Sequence, residues 1–309
     1  MAVRWLPLIP LHSEAFQRTP MMPLRPFEIH QPADLAQASD TLRELGDEAS
    51  AYAGGTELLL AMKFDVLHYP HLVDVKKIPR LNSIEVTDDH LEIGATTTHY
   101  QLERSELVRS HLPVVAEMES RVANVRVRAT GTIGGNLCFA EPHSDPATLF
   151  NVLDSSVVLQ SAQDKREIPI GEFMIGAYET SLKEDELLTR IRIPLLQPHQ
   201  RTAYTKFQVH ERPTLGLALL LEIPDGGREI TSARVAVGCV SPFPQRSSEA
   251  EALLIGEQSA VEEQLDQAAD VLADQAELVD DAEGGIDYKR DLIHTFLRRA
   301  YDQIIARDK

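Results

Sequence analysis

Two short stretches of this chain combine paired glycines with small hydroxyl or amide side chains, residue types that can hold a phosphate without a metal. The first is Ala53-Gly54-Gly55-Thr56-Glu57-Leu58, and the second is Thr132-Ile133-Gly134-Gly135-Asn136. Adjacent glycines carry no Cβ, so a bulky ligand can approach the main chain closely. The free N–H groups of such a loop, helped by a nearby hydroxyl, form a cradle for an anion. An apolar segment enters each stretch. A strand passing through Gly-Gly into a helix also turns the helix's unpaired N–H groups and positive dipole end toward the loop, which suits a pyrophosphate. A single glycine pair more often marks only a turn. The second, similar pair in the same chain raises the reading above that.

Other common chemistries find no support. The chain has no Gly-x-Gly-x-x-Gly fingerprint, no phosphate loop ending in Gly-Lys-Ser/Thr, no His-Glu-x-x-His and no Gly-x-Ser-x-Gly. His99 and His143 read as hydrogen-bonded surface or loop residues rather than ligands. Cys138 directly follows the second stretch but has no cation within three positions, so it reads as a small packing residue and not a nucleophile. Cys138 and Cys239 are the only cysteines, too few for a four-cysteine iron–sulfur cluster or zinc site. Glycine cradles without an acid–base constellation fit a protein that relies on the chemistry of its cofactor.

The 309 residues suffice for two domains, and 43% hydrophobic with 25% charged residues is ordinary for a soluble globular chain. A formal charge of -18 argues against a nucleic-acid surface and is read as a solvated exterior. Scarce cysteines favour a reducing, cytoplasmic compartment, and no apolar run reaches membrane-spanning length. Residues 1–21 make a poor signal peptide, interrupted by Pro7 and Pro10, and are expected to be a disordered extension or the product of an upstream start codon, with no role in the fold.

Several elements must position the glycine pairs. A helix is expected from Pro32, with proline in its first turn, to Leu45-Gly46. Ala51–Ala53 reads as a strand, and Thr56–Lys63 as the helix after it. Short strands follow at 71–75, 83–87 and 90–94, then helices near 100–108 and 113–122. Asp145 is expected to cap a helix whose first residue is Pro146. Strands return at 157–159 and 187–193, and Leu195–Gln200 reads as a linker. Beyond it, strands at 204–209, 217–223 and 232–240 precede two amphipathic helices, near 260–279 and 288–307. Val261, Leu265, Ala268 and Leu272 give the first, acidic helix one packed face.

Taken together, the two glycine stretches resemble the paired FAD signature of the flavin-binding medium subunits of molybdenum hydroxylases, the carbon monoxide dehydrogenase and xanthine dehydrogenase relatives. Pro26-Phe27 with Pro32, Ile93-Gly94-Ala95-Thr96-Thr97-Thr98-His99, Tyr178-Glu179-Thr180 and Glu186–Pro194 are similar to that family as well. The resemblance runs from about residue 22 to the C-terminus. It implies an α+β chain: a two-subdomain FAD-binding fold of the vanillyl-alcohol-oxidase/PCMH type over 22–196, then a small α+β domain over 201–307. That last domain would combine a three-stranded meander with helices.

The resemblance further implies FAD held between the two subdomains, with backbone amides of 53–58 and 132–136 on its pyrophosphate. Asp145 matches a carboxylate in polar contact with the flavin, a role compatible with helix capping. Lys206 matches a lysine that approaches the flavin, where a cation would favour the reduced anion; by itself it reads as an exposed strand residue. Leu188 matches a backbone contact and also reads as a buried strand leucine. Ile133 either packs on the isoalloxazine or fills core.

Iron–sulfur clusters and a molybdenum cofactor are implied only on partner subunits, one small and one large, in an (αβγ)2 complex. The hydroxybenzoyl-CoA reductase branch carries a cysteine-rich insertion that this chain lacks, which sets it nearer the carbon monoxide dehydrogenase type. The alternatives are a stand-alone FAD oxidase or reductase of the same fold, and a scaffold that has lost its flavin. A β-branched residue at Gly55 or Gly134 is expected to abolish flavin content and spare the fold.

Overall fold

A computed structural model of the chain describes residues 24–210, 212–224 and 227–306. The expectation for residues 1–21 therefore lies outside the described residues. The first unit is built from β1 (Glu28–His30), α1 (Leu35–Leu45), β2 (Ala49–Tyr52), α2 (Leu58–Lys63) and β3 (His71–Asp74). Its three strands pair in parallel in the order β1-β3-β2. Helix α1 begins one turn later than expected. Asp34 is its N-cap, accepting from the Gln37 N–H at 2.9 Å, so Pro32 precedes the helix instead of entering it.

The second unit contains β4 (Ile84–Val86), β5 (His90–Gly94), α3 (His99–Arg104), α4 (Glu106–His111), α5 (Pro113–Ser120) and α6 (Val125–Thr130). It continues through α7 (Ile133–Phe139), α8 (Asp145–Val152), β6 (Ser156–Gln160), β7 (Lys165–Pro169), α9 (Ile170–Phe173), β8 (Met174–Gly176), β9 (Glu179–Thr180) and β10 (Leu187–Pro194). Five of these strands form an antiparallel sheet in the order β4-β5-β10-β6-β7. The helix expected near 100–108 is broken at Ser105, which ends α3 and caps α4 through its own hydroxyl. Helix α6, which sequence reasoning missed, is nucleated by Asn124, whose side chain accepts from the N–H groups of Arg126 and Val127.

The C-terminal unit comprises β11 (Gln200–Gln208), β12 (Pro213–Glu222), β13 (Glu229–Ile230), β14 (Ser232–Gly238) and β15 (Gln245–Arg246). It ends with α10 (Ser248–Leu253), β16 (Gly256–Glu257), α11 (Gln258–Gln275) and α12 (Ile286–Ala306). The antiparallel meander β11-β12-β14 is present and is extended by the short β15. Strand alternation gives β12 two buried faces. Leu215, Leu217, Leu219 and Leu221 pack toward α11 and α12, whereas Ala218 and Leu220 join the core of the second unit.

Helix α8 is therefore enclosed on both sides, and nearly all of its side chains are buried. The segment expected to be a linker is short and held: the Leu195 N–H donates to the Asp89 carbonyl, and Leu195 and Leu196 pack on the same core. The acidic face of α11 is partly answered by α12. Arg290 lies 2.7 Å from Asp274, His294 lies 3.0 Å from Asp270, and Arg298 lies 3.5 Å from Asp266. These exposed pairs add little stability each.

The strongest polar tie across the junction is buried. Asp145 at the start of α8 accepts from the Lys206 ammonium of β11 at 2.8 Å and from the Tyr204 hydroxyl at 2.6 Å. Removing one charge of such a pair costs about 3–5 kcal/mol, because the other is left buried and uncompensated. Lys206→Met should lower unfolding free energy by that order, and adding Asp145→Asn should recover at least half of it. Denaturant unfolding of the two single variants and the double variant measures this, and strict additivity would contradict the coupling.

Candidate functional site

A cleft of about 600 Å³ separates the first unit from the second, with the β11–β12 hairpin at its rim. Both glycine stretches border it, and they are joined to each other first. A Cβ added to Gly54 would fall inside contact distance of the Thr130 carbonyl oxygen and 2.7 Å from the Gly131 Cα. The two main chains thus touch where no side chain fits. Gly55, with φ of +69°, turns the chain in the left-handed region toward α2.

Helix α2 starts at Leu58, two residues after the expected Thr56, so the turn itself carries residues 54–57. No main-chain N–H of residues 54–58 has a partner among the described residues. That is the arrangement of a backbone anion cradle: a run of unspent donors on the wall of a concave site.

The second glycine stretch differs from expectation. It is no loop: α7 starts at Ile133 and takes Gly134 and Gly135 into its first turn, with Thr132 as N-cap. Its amides are already spent. Ile133 N–H donates to the Thr97 carbonyl, Gly134 N–H to the Ala95 carbonyl, Gly135 N–H to Thr132 Oγ1, and Asn136 N–H to the Thr132 carbonyl. A Cβ on Gly134 would lie 2.6 Å from both Cβ and O of Ala95. The glycine is required by the packing of α7 on the segment after β5, so a β-branched residue there would disturb the fold as well as the site.

The other expected residues divide in the same way. Ala53, Glu57, Leu58, Asn136, Asp145 and Leu188 border the cleft, as do Thr56 and Thr132. Ile133 does not; it is fully buried in the core of the second unit. Lys206 does not border it either. It is buried behind Asp145, donating also to the Arg121 carbonyl at 2.8 Å, and faces a separate cavity near Arg121 and Phe296. Asp145 is not an N-cap: Ser144 holds that position, Asp145 is the first helical residue, and Pro146 is the second. Both carboxylate oxygens of Asp145 face donors from β11.

Several residues of the cleft escaped sequence reasoning. Thr96 is buried at its wall, and its hydroxyl has no partner among the described residues. Ser144 donates to Asn136 Oδ1 at 2.6 Å and holds that amide in place. Arg212, on the hairpin, spans the mouth: it lies 3.2 Å from Glu57 beside the first glycine pair and 2.6 Å from Glu141 beyond α7. Nothing local announces Arg212, since its partner Glu57 is 155 positions away.

Neither Cys138 nor Tyr178 is activated as a nucleophile. Burial pushes the Cys138 thiol up to about 12, and burial with the Glu141 charge raises the Tyr178 phenol to about 12. His99 is buried against Glu119 at 2.6 Å. His143 is fixed between Glu141 at 3.1 Å and Asp281 at 3.2 Å, and Asp281 in turn accepts from the fully buried Lys289 at 2.6 Å. Burial would lower the His143 pKa, but hydrogen bonds and charge from Asp281 and Glu141 outweigh it and raise it to about 9.

Residues 25–196 match the family model described as the FAD binding domain in molybdopterin dehydrogenase, and residues 204–304 match the CO dehydrogenase flavoprotein C-terminal domain. The carbon monoxide dehydrogenase medium chain of Hydrogenophaga pseudoflava is 31% identical over 93% of this chain and 99% of its own length. A xanthine dehydrogenase FAD-binding subunit of Escherichia coli O157:H7 is 31% identical over 72% of this chain and 77% of its own. A solved structure of the Hydrogenophaga pseudoflava carbon monoxide dehydrogenase superposes with a TM-score of 0.87, covering 93% of this chain and 99% of that one.

Two outcomes follow from the geometry. Gly54→Ala should cost about 1–3 kcal/mol by overpacking the contact with Thr130 and Gly131; thermal melting of the purified variant would show it, and an unchanged melting temperature would refute the contact. His143 has a raised folded pKa, so its stabilising contribution is complete below about pH 6.5 and fades as pH rises through about 9. Melting temperature should fall across that window, and His143→Gln should flatten the slope.

Proposed function

This chain belongs to the family of FAD-binding medium subunits of molybdenum hydroxylases, and on that premise we propose that it relays electrons within a three-subunit oxidoreductase. In this reading it accepts them from iron–sulfur clusters of a small partner, which drains a molybdenum cofactor on a large partner. It then delivers them to an external acceptor. Substrate oxidation belongs to the large partner, and the assembly is an (αβγ)2 complex. We further assign residues 22–196 to flavin binding and 201–307 to the C-terminal domain.

The observation that carries the reading is the run of unspent main-chain N–H groups at residues 54–58, facing a cleft between two subdomains. Those groups fit a pyrophosphate, and the unpartnered Thr96 hydroxyl fits a further polar group of the same ligand. When bound, FAD supplies the two-electron and one-electron redox chemistry. The chain's own residues bind and orient. The amides of 54–58 and the Thr56 hydroxyl hold phosphate oxygens, while Thr132, Asn136 and the Leu188 main chain form the facing wall. Arg212 holds the hairpin over the mouth through Glu57 and Glu141. Asp145 borders the cleft and is held from behind by the Lys206 ammonium at 2.8 Å.

A stand-alone flavin enzyme would carry its own acid, base or covalent attachment residue beside the ring. The cleft's histidines, His99 and His143, are each engaged by carboxylates, and Cys138 is kept protonated by burial. The subunit reading is therefore preferred.

Affinity purification of the tagged chain from its native host, with a visible spectrum of the eluate, tests it. The expected result is equimolar FAD, iron–sulfur absorption, molybdenum and two co-eluting chains. A single flavin-containing chain that turns over a substrate unaided would overturn it. Gly55→Val should reduce FAD content at least tenfold, because a β-branched residue strains the left-handed turn and crowds Tyr52.

A further inference from the structure

Away from the cleft, the edge of the first sheet gathers three ligand-type side chains on one face. In the parallel pairing, Glu28 stands opposite His71, and His30 stands opposite Val73. Residues two apart on a strand share a face, so Glu28, His30 and His71 all project to the side on which Val73 packs. Their donor atoms lie within 4.8 Å of one another. His30 Nε2 lies 3.1 Å from His71 Nδ1, and Glu28 Oε2 lies 3.7 Å from the same nitrogen. The rings are tilted by 51°, not stacked.

We propose that Glu28, His30 and His71 form a binding site for a single divalent transition cation, zinc or one of similar ligand preference. Two imidazole nitrogens and one carboxylate are a ligand set that zinc accepts at about 2.0–2.2 Å. Tetrahedral bonds of that length place neighbouring donors about 3.3 Å apart, between the 3.1 and 3.7 Å observed. The site is accessible: the Glu28 side chain is mostly exposed, and the His71 side chain is 23% exposed. Three protein ligands leave a fourth position for water.

The cation would tie β1, a three-residue edge strand, to the central strand β3. An ion that binds only the paired strands stabilises that pairing. None of the three residues borders the flavin cleft, so the site is independent of the proposed electron-transfer role.

Zinc titration of the full-length chain, stripped with a chelator and then freed of it, tests the proposal by calorimetry or competition with a chromophoric chelator. The expected result is one ion per chain with at least tenfold weaker binding in His30→Ala and in His71→Ala. Added zinc should raise the melting temperature of the parent chain and not of these variants. Co2+ should give the visible ligand-field bands of a four-coordinate site, lost in His71→Ala. Equal melting temperatures in chelator, with equal FAD content, establish that the variants fold. Absence of zinc binding below millimolar concentration would overturn the site, as would binding unchanged in both histidine variants.

Discussion

The contact on which the cleft depends is one between main chains. Gly54 meets Thr130 and Gly131 with no side chain between them, and Gly134 packs closely on the Cβ and carbonyl oxygen of Ala95. Main chains brought this close leave no space for a Cβ, so the two segments meet directly beside the cleft. The donors of residues 54–58 are left unspent on its wall because the chain turns there instead of pairing. The glycines therefore join the two subdomains first, and that junction exposes the groups able to hold an anion.

A second constraint fixes the cleft from behind. Helix α8 is buried between the second sheet and the C-terminal meander, and its first residue, Asp145, is held by Tyr204 and Lys206 of β11. A buried carboxylate needs a nearby cation and further hydrogen bonds, and both come from the same strand. The β11–β12 hairpin that continues from this strand brings Arg212 to the mouth of the cleft, between Glu57 and Glu141. The C-terminal unit thus shares a core with the flavin-binding region and completes the rim of its site. It is joined by packing as well as by sequence.

Much of the local structure was legible because its causes are local. Alternating apolar residues mark β5 and β10, a nearly continuous apolar run marks β12, and the spacing of Val261, Leu265, Ala268 and Leu272 marks the buried face of α11. The second glycine stretch was misread as a loop because glycine is among the poorest helix formers. Helix forms there because Thr132 caps it and because the carbonyls of Thr97 and Ala95 take its first N–H groups. Neither carbonyl is visible from the sequence around Gly134. Helix α6 was missed for a related reason: six residues rich in arginine and valine carry no clear apolar period, and the Asn124 cap is the only local signal.

The sequence by itself determined the kinds of groups present and their order along the chain. It held two glycine pairs with adjacent hydroxyls, a lysine and an aspartate of the right types, too few cysteines for a cluster, and strands and helices set by side-chain periodicity. Only the tertiary structure decided which of these groups border the cleft. It placed Lys206 behind Asp145, sent Ile133 into the core, spent the amides of α7 on Ala95 and Thr97, and drew Arg212 to Glu57. The physical reason is that hydrogen-bond satisfaction and burial are settled between segments far apart in sequence. A donor is free for a ligand only when no distant acceptor has already taken it.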